Sequence, residues 1–320
     1  MARKTWKSDA ASGNLGTTGN WSTASLPSSS DIALFREGEV SATSGSLTTG
    51  GCFFSADYTG DFGNASFDVA VACFRASVII DKPDGAMYAT FGTPSNKAGK
   101  VIIRRLPPSG NHSLTLNATD VVIYSDNELG RGPFDYMNIG GSVSNLYIVN
   151  KTTGNTYINL DTITISQGLY VSGPAVVEST DSTITGKFVT VHPCSSLTFG
   201  EGDTLQDDSY IVGSKVQFNA QNLSASNNVE LTGATVTVTN TQSGALAIGA
   251  FNLNRESRLV LDCPIVPTAG TITSYGGRVD SDHPLTFTLS AYGKLSTTAF
   301  RALDFENAQN SGHFQTGIMA

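Results

Sequence analysis

The chain has 320 residues, enough for one large or two moderate domains, and only 14% of them are charged against about 25% in an ordinary globular protein. Its net charge of −8 and dispersed basic residues exclude a surface built to grip phosphate backbones, while 26 Phe and Tyr together exclude a disordered chain. Ser and Thr exceed a fifth of the residues and Gly numbers 33, a composition that suits strands and tight turns.

The N-terminus, MARKTWKSDAASGN, carries a basic cluster at Arg3, Lys4 and Lys7 and lacks the apolar stretch of a secretory signal. The cluster is expected to be a solvated terminus, with a basic arm docked on an acidic neighbour as the alternative. No run approaches the eighteen apolar residues of a membrane span, so the chain is expected to fold in the cytosol where it is made, without a membrane or nucleic-acid partner. Trp6 and Trp21 lie near this end and are expected to cap or to form an interface, because a stack of coils must close its open edge.

Helix signals are nearly absent; the best candidate is the short segment 298–307 (TAFRALDFEN). Period-two patterns predict strands at 101–106 (VIIRRL), 121–124 (VVIY), 146–149 (LYIV), 234–239 (ATVTVT) and 285–289 (LTFTL). The last two alternate apolar residues with Thr strictly, as a strand with one buried face does. From about 143 to 262 apolar starts recur at Leu146, Leu169, Phe188, Ile211, Val229 and Leu246, about 17 to 23 residues apart. Turns are expected between them at Thr153-Gly154-Asn155, Gln167-Gly168, Thr185-Gly186, Gly200–Asp203, Ser226-Asn227-Asn228 and Ser243-Gly244.

A period near twenty with several short strands per period is the pattern of a β-solenoid coil, so the expected fold is all-β, of stacked β-helix-like coils. An antiparallel β-sandwich also explains alternating strands with regular turns and stands as the alternative. The expected regions are 1–140, a separate small β region with longer loops and an attachment segment; 141–264, the coils; and 265–320, a C-terminal β segment and polar tail.

Groups that invite a chemical reading each have a structural competitor. Gly92 to Lys100 looks like a phosphate loop, but six residues separate its glycines and Val101 follows the Lys, so a polar loop is expected. Asp203, Asp207 and Asp208, like Asp57 with Asp61 and Asp280 with Asp282, would suit glycoside cleavage if one carboxyl were desolvated; their Gly- and Ser-rich surroundings predict exposed turns instead. His112, His192, His283 and His313 lie too far apart in sequence for a short metal motif. Cys52, Cys73, Cys194 and Cys263 have no metal spacing and are expected to be reduced and buried rather than disulfide-bonded. No residue is assigned a catalytic, cofactor-binding or metal-binding role, and the chain is expected not to be an enzyme.

The segment Gly19-Asn20-Trp21-Ser22, followed by Pro27 and Asp31-Ile32-Ala33, resembles the opening turn of bacteriophage virion structural proteins with β-helical folds. Bacterial surface β-solenoids share that opening but are exported, and the missing signal sequence favours the phage group. The resemblance implies a virion protein, a homotrimer, partnered by the major capsid protein or by tail components. It would be a head decoration or cement subunit; the alternative is a tail fibre or spike that binds or cleaves host surface glycans.

Overall fold

The computed structural model describes residues 2–73, 77–107, 111–125, 136–219, 223, 227–239, 250–262, 272–275 and 277–281. The chain divides into two compact units, Met1–Ser166 and Gln167–Ala320. Each is a β-solenoid in which a strand pairs in parallel with a strand one coil further along the chain, so the antiparallel sandwich is excluded. Apart from a single 3-10 turn at Thr18–Asn20, the regular structure among the described residues is β.

In the first unit one face stacks Arg3–Thr5, Ile32–Phe35, Gly51–Phe54, Val78–Asp81 and Ala98–Arg105. A second face stacks Leu47–Thr49, Val69–Cys73 and Met87–Phe91. The 14-residue strands His112–Ser125 and Met137–Asn150 serve both faces. They bend at the corner where Leu116, Asn117 and Ala118 are consecutively buried and the period-two pattern breaks. The parallel coils thus begin at residue 3, well before the regular spacing seen in the sequence from 143. The insertions that hide the period, such as 8–30 and 55–68, lie between strands whose register is intact. Residues Arg3–Thr5 are accordingly a paired strand and not a loose terminus, and Lys4 Nζ donates to the hydroxyls of Thr23 (2.9 Å) and Ser25 (2.6 Å).

The first coil would present a bare strand edge. That edge is covered by chain returning antiparallel: the Trp6–Trp21 bridge is flanked by bonds from Ser22 N–H to Thr5 O (2.9 Å) and from Lys7 N–H to Asn20 O (3.0 Å). Asn20, buried, holds the returning loop by donating from Nδ2 to the carbonyls of Ser12 (2.8 Å) and Asn14 (3.0 Å) and accepting from Ala11 N–H (3.2 Å). Trp6 and Trp21 are both buried, packed edge to face at 5.3 Å, and each donates its indole N–H to a backbone carbonyl, Val40 and Leu15 respectively, at 3.0 Å. Beneath them Phe35 stacks on Phe54 with centroids 4.8 Å apart and 9° between planes. Each such ring contributes about 1.5–3 kcal/mol of apolar burial, and each pair adds about 0.5–1.5 kcal/mol.

The second unit has the regular coils foreseen from the sequence. Leu169 pairs with Phe188 as expected, but Val229 pairs with Ser209, and Ile211 with Leu231, two residues along from the expected starts. Inward residues line up as Val177, Leu197, Val216, Val236 and Leu259, with Phe199 stacked on Phe218 at 5.4 Å. Two-residue corners need a left-handed residue, supplied by Gly213 (φ 69°) and Gly233 (φ 59°). Gln167-Gly168, expected as a turn, lies within strand Thr156–Ser172, where Gly168 leaves room for the Tyr170 ring; its Cβ would fall 2.5 Å from that ring. The predicted strand 285–289, the helix 298–307, Leu246 and the polar tail fall outside the described residues.

Candidate functional site

The carboxylates singled out for chemistry prove to be parts of corners. Asp203 is buried, with 2% of its surface exposed, rather than sitting in an exposed turn. Its Oδ1 accepts from Ser182 N–H of the preceding coil (2.6 Å) and its Oδ2 from Gly200 N–H of its own turn (2.7 Å). Burial raises its pKa above the usual carboxylate value, and the two amide bonds pull the other way. Sequence reasoning missed this desolvation because Gly200–Asp203 reads as a surface turn, whereas the carboxylate points back under it. The half-buried Asp207 and Asp208 sit past strand Thr204–Leu205, at the next corner. Asp207 accepts from Asp208 N–H (2.7 Å), and Asp208 accepts from the backbone and side-chain amides of Asn228 one coil on (3.2 and 2.9 Å).

The remaining candidates follow the same rule. Asp61 caps a turn by accepting from Ala86 N–H at 2.7 Å, while Asp57 is exposed and bonds within its own turn to Ser55. Asp280 is held between Arg258 and Arg278; Asp282 lies outside the described residues. The loop after Gly92 is a tight Thr93–Asn96 turn, and Asn117 Nδ2 donates to Gly92 O at 3.3 Å. His112 is buried and its Nε2 accepts from Asn138 N–H at 3.0 Å; His192 Nδ1 accepts from Cys194 N–H at 3.1 Å. Cys52 and Cys73 are buried free thiols, as expected, but Cys194 is exposed because it lies in the four-residue corner 192–195. Cys263, His283 and His313 lie outside the described residues. Among the described residues no three His, Cys, Asp or Glu side chains gather into a metal-holding group.

One buried ionisable group was not foreseen. Lys82 is wholly buried, its Nζ 4.9 Å from the Tyr58 ring centroid and donating to the carbonyls of Tyr58 (3.4 Å) and Asp84. Burial pushes its ammonium down to about 8, against the pull of Asp61 and Asp84. Nothing in the fragment Asp81-Lys82-Pro83-Asp84-Gly85 marks the lysine as internal; only the closed turn does.

On the outer side of its strands the first unit carries a column of half-buried apolar side chains. Register aligns Leu34 with Phe53, Phe53 with Ile79, Ile79 with Ile102, Ile102 with Val122, and Val122 with Tyr147. Phe53, Ile79, Ile102, Val122 and Tyr147 are half-buried outer positions, since Phe54, Ile80, Ile103, Ile123 and Ile148 beside them fill the core, whereas Leu34 at the end of the row is itself buried. With neighbouring strands about 4.8 Å apart, the six residues form a strip roughly 24 Å long. In the second unit an outer row runs Tyr170, Val189 and Tyr210 before it turns polar at Glu230 and Asn252. The signal was available in the sequence, because VII at 78–80 and 101–103 and VVI at 121–123 are continuous apolar runs, which belong to strands covered on both sides.

No family model, curated protein or solved structure matches the chain.

Two measurements test these assignments. Asp203→Asn turns one acceptor into a donor facing a buried N–H, and is expected to cost about 1–3 kcal/mol in denaturant unfolding. A loss below about 0.5 kcal/mol would show that the carboxylate does not hold the corner. For Lys82, the unfolded chain keeps its proton up to about 10.5 while the folded chain releases it at about 8. The unfolded state therefore binds more protons in that window, and this site's contribution to stability rises with pH. The stability of the wild type relative to Lys82→Met should climb by about 1 kcal/mol per pH unit between pH 8 and 10. A difference that stays flat with pH would contradict the buried ammonium.

Proposed function

We propose that this chain is a structural protein of a bacteriophage virion, a head decoration or cement subunit that works through protein–protein contacts. The observation that carries the reading is the outward apolar column of the first unit. Monomeric proteins seldom leave a continuous apolar strip on a flat sheet face unless a partner covers it. Because Phe53, Ile79 and Ile102 are already half-buried, covering each would contribute a fraction of the full-burial value of about 1.5–3 kcal/mol. A protein that binds only the assembled shell lowers the free energy of that state by mass action, and stabilisation needs no chemistry. The resemblance of the Asn20-Trp21-Ser22 opening to β-helical virion proteins supports the same reading.

The glycan-cleaving alternative draws less support. It needs a carboxyl free to protonate a leaving group, and the buried Asp203 has both oxygens occupied by backbone amides.

Cryo-electron microscopy of the assembled particle tests the proposal. Density for this chain on the shell, with the face of Phe53, Ile79 and Ile102 against a neighbour, is the expected result. Density at a free tail tip would favour the glycan-binding reading, and absence from the particle would overturn a virion role.

A further inference from the structure

At the N-terminal end of the apolar column the first unit's surface sinks into a groove of about 370 Å³. Its floor is apolar: Ile32, Leu34, Phe53 and Ile79. Arg3 and Arg36 stand on its walls, and both are exposed. Their placement follows from the strands. Arg3 pairs with Ile32, so it lies one coil before the floor; Arg36 follows Phe35 and projects on the same side as Leu34. Among the described residues neither guanidinium takes part in an ion pair, whereas Arg105, Arg258 and Arg278 are all matched to aspartates. Asp81 pairs with Arg105, and Asp31 accepts from Ser28 and Ala2; Glu37, next to Arg36 in the chain, is exposed.

We propose that this groove binds a small anionic amphiphile, one carboxylate on an aliphatic or aromatic body. Three observations converge on that class. The volume falls in the range of small-molecule sites, near its lower end. Apart from the arginines the lining is mainly aliphatic and aromatic, with Cys52 and the single hydroxyl of Ser77. The two free guanidinium forks supply planar, bidentate donors suited to a carboxylate, and they stand beside the apolar lining. A charged head between Arg3 and Arg36 with an apolar tail along Leu34, Phe53 and Ile79 satisfies both halves at once. This site shares Leu34, Phe53 and Ile79 with the column of the virion reading, so ligand and partner would compete for that end; binding to the isolated protein tests the groove whether or not the chain is found on a particle.

The test is calorimetric titration of the full-length protein with sodium decanoate and, separately, with decanol. Decanoate should bind saturably at one site and at least about tenfold more tightly than decanol, a tenfold ratio being one charge-assisted contact. Arg3→Gln and Arg36→Gln, both at exposed positions and checked for an unchanged β circular-dichroism spectrum, should each weaken decanoate about tenfold while leaving decanol unchanged. Phe53→Asp should abolish both. Equal affinity for decanoate and decanol, full decanoate binding by the double arginine variant, or no saturable binding would overturn the proposal. Adsorption to phosphatidylglycerol vesicles without saturable decanoate binding would also overturn it, by reassigning the arginines to a lipid surface.

Discussion

Everything in this protein depends on the backbone hydrogen bonds between one coil and the next. A parallel strand leaves a full row of N–H and C=O groups on each edge, and each coil satisfies the row left by its neighbour. Because the pairing is in register over many coils, a residue's environment repeats at each step: the inward Val177, Leu197, Val216, Val236 and Leu259 form a single line. The same repetition operates on polar groups. Ser195 donates to Gly173 O and Ser214 to His192 O, so successive corners are stitched by hydroxyls reaching back one coil. The first coil is the exception that the rule requires. Its outer edge pairs with the Asn20–Ser22 segment, which turns back antiparallel, instead of with a parallel coil.

That arrangement explains how these acidic residues serve the frame. A corner exposes amide N–H groups that no strand can take up, and a carboxylate accepts two of them at once. Asp203 does so across two coils, Asp61 accepts the N–H of Ala86 one coil on, and Asp280, within strand Arg278–Ser281, anchors two arginines. Lys82 is the inverse case, an ammonium taken inside a turn to satisfy carbonyls and rest on the Tyr58 ring. Once these groups are so engaged, the chemically unspent surface of the first unit is its outer apolar column with the unpaired arginines beside it.

Much of the fold was legible because alternation and turn residues obey local rules. The Thr-Val-Thr-Val-Thr strand at 235–239 buries both valines, as its alternation predicts, whereas the corners at Gly213 and Gly233 were not among the expected turns. The coils of residues 3–125 were hidden by long insertions, which break a period without breaking a register. Gln167-Gly168 misled because a glycine within a strand serves packing as readily as turning. The site was less legible still. Burial of Asp203 and Lys82 depends on where a turn folds back, which composition does not encode. The outer column was written plainly in VII and VVI, but one-dimensional alternation does not reveal that those residues align across coils.

The most direct test of the account is whether the outer column is the contact surface. Ile79→Asp combined with Ile102→Asp places two charges in the middle of the strip without touching the core. Particles produced with this variant should lack the protein, while the purified variant keeps its β-structure and wild-type unfolding midpoint. Incorporation at wild-type occupancy would contradict the claim that this face binds the partner.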